Sequence, residues 1–291
     1  MKTANEKNKV FDFTFLSIVK SILSSQKNQL KSLCTIMNKF IAYIDILGFK
    51  ELVLNNDHET LIKKFQNLFS ISIELSLSQG KYNIIENSGK ELAVPDLNHA
   101  LVNSINISDS VILWTDDDSM QSFINLIVTV RNVINHCTLA GFPMRGAIVR
   151  GEMTFLKRQM GIKTDVTQQA LIGKGIVDAY IQESKQEWAG CTVDATAIKA
   201  YIKQYEEMKN KVKYLPSIEY LVEKKLICKY KVPYKTGIIK DEYVLEWPAV
   251  NRTLPDEKRI RDAFSMHNKN TNDLSVELKI LNTLRFIARE Q

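Results

Sequence analysis

FIAYIDILGF, residues 40–49, is the stretch that decides the fold. A dense run of β-branched and aromatic residues that stops at Gly48 is typical of a buried central strand. Asp45 is the exception, because burying an unpaired carboxylate is costly. It must therefore stand at the strand end, contact a cation, or do both. Side chains alternate along a strand, so Tyr43 projects to the same side as Asp45.

Two short apolar runs farther along the chain predict a β-hairpin. Residues 101–107 and 111–114 are joined by Ser108-Asp109-Ser110, a polar turn. Asp109 taken alone is an ordinary turn residue. If the hairpin neighbours the first strand, Asp45 and Asp109 converge, and a Mg²⁺ or Mn²⁺ ion would remove their repulsion. The two aspartates together therefore predict a divalent-metal site.

The order of elements predicts an α+β fold. From residue 39 onward it is strand, helix, strand, strand, helix, strand, which is the βαββαβ plan of a ferredoxin-like domain, with a further helix and strand after it. The helices are expected from Asp57, from Ser119 to about Gly141, and over 173–188, and the later strands over 143–150 and 191–194. The polar residues 80–95 are expected to be an irregular loop insertion.

Three segments are expected along the chain. Residues 1–38 contain an amphipathic N-terminal helix, and residues 39–202 form the core domain. Residues 203–291 form a C-terminal extension with a strand over 243–247 and a closing helix over 274–287. The N-terminal helix fits equally well as a dimer-stabilising arm or as a helix packed on its own core.

Composition excludes several functional classes. A net charge of +6 without a run of five or more basic residues argues against nucleic acid. The cysteines and histidines are isolated, which excludes a disulfide framework and a zinc site, so a reducing cytoplasm is expected. Residues 11–23 carry Asp12 and Lys20 and are too short to span a bilayer, so neither a signal peptide nor a membrane partner is expected.

Four motifs in this order resemble the class III nucleotidyl cyclases, over about residues 39–195. They are YIDILGF at 43–49, SDS at 108–110, MRGAIVRG at 144–151 and GKGIVDAYIQES at 173–184. The combination of IDILGF, RGAIVRGE and GKGIVDAYIQES looks most like the pyrimidine cyclases of the bacterial anti-phage Pycsar systems. The resemblance implies a class III cyclase domain that acts as a homodimer on a nucleoside triphosphate.

The resemblance also implies roles for particular residues. Two divalent cations, Mn²⁺ or Mg²⁺, would be held by the catalytic residues Asp45 and Asp109 and by the backbone carbonyl of Ile46. The backbone of Gly48 and Phe49 would bind the β- and γ-phosphates. The other expected nucleotide-binding residues are Tyr43, Arg150 and Lys174.

Departures from the family pattern shape the expected specificity. Val177 and Ile181 stand where most members keep an Asn and an Arg that stabilise the transition state, so Arg145, Arg150 or Lys174 would take that role. Ile105 and Ala170 stand at positions that usually read a purine. The expected enzyme is a uridylate cyclase, a lyase whose product, cyclic UMP, acts on an effector in antiviral defence. A cytidylate cyclase, a purine cyclase and a non-catalytic nucleotide-binding dimer remain open.

Overall fold

The computed structural model describes residues 38–159, 167–250 and 253–289, which belong to one compact unit. The amphipathic helix predicted near the N-terminus falls on residues that lie outside the described ranges. The strands are β1 (Asn38–Ile46), β2 (Tyr82–Asn87), β3 (Lys90–Pro95), β4 (Asn103–Ile107), β5 (Ser110–Trp114), β6 (Met144–Glu152), β7 (Thr154–Gln159), β8 (Thr167–Ile172), β9 (Cys191–Val193), β10 (Ile227–Pro233) and β11 (Ile239–Leu245). The α-helices are α1 (Phe49–Leu54), α2 (His58–Lys64), α3 (Ile71–Leu77), α4 (Met120–Leu139), α5 (Lys174–Ser184), α6 (Ala195–Met208), α7 (Ile218–Glu223), α8 (Glu257–Ser265) and α9 (Leu274–Ala288).

One large sheet organises the described part of the chain. Its strand order is β10-β11-β9-β6-β1-β5-β4. Within it, β6, β1, β5 and β4 are antiparallel neighbours, which are the fourth, first, third and second strands of the predicted plan. Helices α1 to α3 follow the first strand and α4 follows the hairpin. The predicted α+β, βαββαβ fold is therefore confirmed.

Strand β1 lies in the middle of the sheet because both of its faces are apolar. Phe40, Ala42 and Ile44 face the main core, where Phe123 of α4 packs on Phe40 with ring centroids 5.1 Å apart. Ile41 faces the other side, in a smaller core with Val149 and Ala179. A strand buried on both faces has a fixed register, since a slip by one residue would move Asp45 into the main core.

Helix α5 lies close to the sheet because small residues meet there. A Cβ atom at Gly151 would stand 2.7 Å from Cα of Gly175, and one at Gly175 would stand 2.4 Å from Cδ1 of Ile41. Glycine at both positions therefore lets the backbone of α5 approach β6 and β1. This contact fixes the height of the helix above the strand that carries Asp45.

The C-terminal residues complete the same sheet. β9 pairs in parallel with β6, and β11 joins β9 and carries β10 at the edge. Trp188, which is buried, packs edge-on against Phe286 of α9 at 4.7 Å. The expected boundary between residues 202 and 203 falls inside α6, so the structure shows no separation there. The strand expected over 243–247 corresponds to the end of β11, which stops at Leu245, and the prediction lacked its partner β10.

Two further expectations are corrected. Residues 80–95 are not irregular, because β2 and β3 pair in a hairpin whose turn residues Ser88 and Gly89 both have positive φ, 53° and 75°. The helix expected over 173–188 ends at Ser184, and the residues after it turn into the core. The closing helix is confirmed as α9. None of the helices in the described ranges is both long and apolar enough to span a membrane.

Candidate active site

The two aspartates converge at one end of the central strands. Asp45 stands opposite Ser110 in the β1–β5 register, and Ser110 Oγ donates to Asp45 Oδ1 at 3.3 Å. The backbone N–H of Ile46 donates to the carbonyl oxygen of Asp109 at 3.0 Å. The β4–β5 turn is thus tied to the end of β1. The convergence expected from the sequence is what the structure shows.

The environment of Asp45 opposes its negative charge. Burial raises the pKa of Asp45 to about 7, and the charges of Glu183 and Asp109 add to the increase, while Arg145 and Ser110 oppose it. A carboxylate with two acidic neighbours favours any bound cation. The electrostatics therefore indicate a site that is completed by positive charge.

A buried ion pair lies beside Asp45. Arg145 stands opposite Asp45 on β6, and its Nε donates to Oε1 of Glu183, on α5, at 2.5 Å. Its Nη1 donates to the carbonyl oxygen of Gln186 at 2.9 Å. Burial raises the pKa of Glu183, and the charge of Arg145 counteracts this. The guanidinium is thus already engaged within its own chain.

Tyr43 shares the face of Asp45. Its hydroxyl forms a 2.6 Å hydrogen bond with Ser110 Oγ, so one serine links the phenol to the carboxylate. Its ring meets the ring of Tyr180 edge-on at 5.4 Å. Burial is the largest cause that raises the pKa of Tyr43, so the phenol stays neutral at physiological pH. The structure therefore places Tyr43 beside Asp45, on the same face of β1.

The oxygen donors at this end suit a hard divalent cation. Three oxygen donors lie where the end of β1 meets the β4–β5 turn: the carboxylates of Asp45 and Asp109 and the carbonyl of Ile46. Over the described ranges, no group of three or more His, Cys, Asp or Glu side chains is arranged to hold a metal. Mg²⁺ is commonly held by one or two carboxylates together with substrate phosphates. The donor set therefore fits a cation that arrives with a phosphorylated substrate.

The loop after β1 lies directly beside this end of the sheet. Gly48 is exposed and has a φ of +79°, a left-handed conformation that favours glycine. Helix α1 begins at Phe49, whose ring packs on Phe65 at 6.0 Å. The side chain of Phe49 therefore packs inward, and only its backbone is available for phosphate.

Two predicted residues lie away from Asp45 within one chain. Arg150 pairs with Phe40, five residues along the strand from the Asp45–Arg145 pair, or about 17 Å. It also projects to the opposite face and forms an ion pair with Asp118 at 2.5 Å. Lys174 begins α5, roughly 13 Å along the helix from Glu183. The structure does not bring either cation together with Asp45 of the same chain.

The structure also adds residues that the sequence did not indicate. Ser110 and Glu183 were quoted only as parts of motifs, yet both act on Asp45. Lys235 lies in the turn after β10, where its N–H donates to the carbonyl oxygen of Lys185 at 2.8 Å. Burial lowers the pKa of Lys235, as does Arg145, while Glu187 and Glu183 counteract this. Glu183 could have been found from the sequence, as an acidic residue on the buried side of the helix α5. Nothing in the sequence links Lys235 to this site.

Comparison with known proteins gives a fold-level similarity. The sequence matches no protein-family model and no curated protein. Among solved structures, the guanylyl cyclase Cya2 matches at 10% identity over 72% of this chain and 90% of that chain, with a TM-score of 0.42. The adenylyl cyclase CyaB from P. aeruginosa matches at 14% identity over 72% and 93%, with a TM-score of 0.41. The guanylate cyclase domain of RhGC from Catenaria anguillulae, in complex with GTP, matches at 11% identity over 72% and 96%, with a TM-score of 0.42. Likeness at this level assigns no activity to this chain.

Proposed function

We propose that this chain is a nucleotidyl cyclase that converts a nucleoside triphosphate to a 3′,5′-cyclic nucleotide and pyrophosphate. The observation that carries the proposal is the convergence of Asp45 and Asp109, fixed by the Ile46–Asp109 hydrogen bond of 3.0 Å. Two carboxylates that repel each other at the end of a buried strand need positive charge. A triphosphate with its divalent cations supplies that charge.

The residues at this end would have separate roles in an in-line displacement at the α-phosphorus. The 3′-hydroxyl of the ribose gives its proton to solvent and its oxygen bonds to the α-phosphorus, while the bond from that phosphorus to the bridging oxygen breaks and pyrophosphate leaves. Divalent cations, when bound, neutralise the triphosphate and lower the pKa of the 3′-hydroxyl. Asp45, Asp109 and the Ile46 carbonyl would hold them. The N–H groups of the loop at Gly48 and Phe49 would hold the terminal phosphates.

We propose UTP as the preferred substrate. Tyr43 occupies the face of Asp45, and its phenol has both a flat apolar ring and a hydroxyl for base contact. A pyrimidine is smaller than a purine and leaves room for this side chain. CTP is the alternative substrate. The sequence resemblance to anti-phage pyrimidine cyclases supports the further proposal that the product signals to a defence effector.

We propose that the active form is a homodimer. Val177, Tyr180 and Ile181 lie on one side of α5 and are 52%, 51% and 39% exposed. Three adjacent exposed apolar side chains suit an interface. Arg150 and Lys174, which lie far from Asp45 in their own chain, would then act at the site of the partner subunit. Closed twofold symmetry would give two equivalent sites.

The direct test is product formation from single triphosphates. The purified protein is incubated with Mn²⁺ and ATP, GTP, CTP or UTP in separate reactions, and the products are resolved by mass. Asp45→Ala is the inactive control, and Asp241→Ala, a change at another acidic strand position, is the matched active control. Cyclic UMP that disappears only with Asp45→Ala supports the proposal. A cyclic purine nucleotide would show that ATP or GTP, and not UTP, is the substrate. Absence of product from all four triphosphates would contradict catalysis.

One observation favours a second candidate, a non-catalytic nucleotide-binding dimer. The apolar residues Val177 and Ile181 stand where the resemblance implies transition-state groups, and both are exposed rather than paired with a polar substitute. Binding of a triphosphate with Mn²⁺ by calorimetry, without turnover, would support this candidate. Turnover with any nucleotide would exclude it.

A further inference from the structure

A short segment of the C-terminal residues folds back against the loop after β1. This strap, Met266–Asn270, connects α8 to α9. His267 and Asn268 both have left-handed backbone conformations, with φ of 64° and 62°. Such conformations persist only where the surroundings hold them. The backbone conformation of the strap is therefore held by its contacts with the rest of the protein.

Two asparagines at the end of α1 hold the backbone of the strap. Asn55 Nδ2 donates to the carbonyl oxygen of Asn268 at 2.8 Å, and Asn56 Nδ2 donates to that of His267 at 2.7 Å. On the other side, His267 Nε2 lies 2.8 Å from the carbonyl oxygen of Ala140, and its ring packs on Phe142 at 4.8 Å. The strap thus joins the loop-and-helix unit after β1 to the end of α4.

Lys269 inserts its side chain beneath this strap. The residue is 6% exposed, and its Nζ donates to the carbonyl oxygens of Gly141 at 2.7 Å and Ala263 at 3.2 Å. Ala263 lies in the last turn of α8, where the helix dipole favours a cation, and Gly141 follows the C-terminal cap of α4. In the described ranges, no carboxylate forms an ion pair with Lys269. Burying a charged lysine without a carboxylate partner costs free energy. We therefore infer that the contacts of Lys269 have a role other than core packing.

The stem of Lys269 lies against the loop proposed to bind phosphate. A Cβ atom built on Gly48 would stand 3.3 Å from Lys269 Cδ. On its other side the same loop is held by Leu47, whose N–H donates to the carbonyl oxygen of Pro143 at 2.8 Å. The turn at Gly48 is therefore supported between Pro143 and the stem of Lys269.

We propose that Lys269 is a positioning residue for the Gly48–Lys50 loop, and that the strap sets this loop for triphosphate binding. The proposal rests on the proposed function, because it assigns the phosphates to that loop. Lys269 is buried and does not touch substrate; it acts through Gly48. The geometry makes triphosphate affinity, rather than the chemical step at Asp45 and Asp109, depend on the strap.

The test compares Lys269→Met with Thr283→Val. Thr283 is buried on α9 and accepts the N–H of Ala189 at 2.8 Å, so its change weakens the same C-terminal part without touching Gly48. Hydrogen exchange of residues 47–56 and the kinetics with the accepted triphosphate are measured for both. Lys269→Met is expected to speed exchange of these amides and to raise KM about tenfold, with kcat within about twofold. Thr283→Val is expected to do neither.

Two further results separate the possible failures. Absence of product from the unmodified protein would contradict the proposed function, while the exchange comparison would still test the strap. Exchange and KM that are the same in Lys269→Met as in Thr283→Val would overturn the positioning role. If Lys269→Met does not fold, Asn55→Ala, at an exposed residue, removes a strap contact and must show the same faster exchange, or the proposal fails.

Discussion

At the scale of single residues, the site depends on how one carboxylate is surrounded. Asp45 would be a costly residue in a central strand if it were only structural. Ser110 holds one of its oxygens, and Arg145 lies across from it, yet Arg145 is already paired with Glu183. Burial is the main cause of the raised pKa of Asp45, and the charges of Glu183 and Asp109 add to it, so a bound cation would stabilise the charged carboxylate.

Replacing Asp45 by Asn should change how stability depends on pH. The pKa of Asp45 is raised from 3.8 to about 7, so the folded protein binds more protons than the unfolded chain between these values. The free energy of unfolding therefore falls as pH rises through this window. Since Asp45 is partly exposed, the loss is about 1–2 kcal/mol after discounting for solvent screening.

Thermal unfolding at pH 5 and pH 8 checks this expectation. Without metal, Asp45→Asn should lose less stability than the unmodified protein between the two pH values. Added Mn²⁺ should stabilise the unmodified protein at pH 8 and leave Asp45→Asn unchanged. Equal pH slopes in the two proteins would contradict the assigned environment of Asp45.

The Arg145–Glu183 pair makes a separate prediction. Arg145→Met leaves Glu183 buried without its partner and should cost about 3–5 kcal/mol of stability. The double variant Arg145→Met, Glu183→Leu should recover most of that loss, because both charges are gone. Urea unfolding of the single and double variants measures the coupling. Additive losses would show that the two side chains do not depend on each other.

At the scale of elements, the sequence predicted what apolar periodicity encodes. β1, α4 and the β4–β5 hairpin were predicted because each buries a regular set of apolar residues. The β2–β3 hairpin was not predicted, since nearly all of its residues are exposed and no core face marks it. The convergence of Asp45 and Asp109 was predictable from strand order. The positions of Lys235 near Arg145 and of Lys269 near Gly48 were not predictable, because each depends on a contact between distant segments of the chain.

The β2–β3 hairpin should be dispensable for folding. Its backbone closes on itself through the hydrogen bond from the N–H of Asp96 to the carbonyl oxygen of Lys81 at 2.9 Å. Replacing residues 83–94 by two glycines should therefore change the free energy of unfolding by less than about 1 kcal/mol. Urea unfolding measures this, with product formation in the triphosphate assay as a second readout. A large loss of stability would show that the hairpin packs on the body of the protein.

At the scale of the whole molecule, one sheet takes strands from both sides of residue 202. β9, β11 and β10 extend it beyond β6, and the rings of Trp188, Tyr230 and Phe286 have centroids within 5.3 Å of one another. The strands that carry the candidate site and the C-terminal elements therefore share one core.

A chain truncated after Met208 should fail to form a native core. It would lose β10, β11 and α9 and would expose Trp188 and Val193, which are now buried. Near-ultraviolet circular dichroism and urea unfolding should show lost tertiary packing and no cooperative transition. A cooperative transition in the fragment would show that the C-terminal elements form an independent unit.

Dimerisation should be separable from folding. Ile181→Asp places a charge on the exposed apolar side of α5 and leaves the core untouched. Sedimentation should show a monomer, with an unchanged melting temperature and activity lowered at least about tenfold. Gln182→Asp, a neighbouring change at a polar residue, is the control. A fully active monomeric Ile181→Asp protein would contradict a site shared between two chains.

The strap also has a consequence for the newly made chain. Asn55 and its strap partner Asn268 are 213 positions apart, so β1 and its loop leave the ribosome long before their support exists. Synthesis proceeds at about 5–20 residues per second, and the loop stays unsupported for roughly ten seconds or more. During that interval the nascent polypeptide holds both aspartates but lacks a fixed phosphate loop. For the proposed cyclase, triphosphate binding by the nascent chain should therefore stay weak until translation has passed the strap.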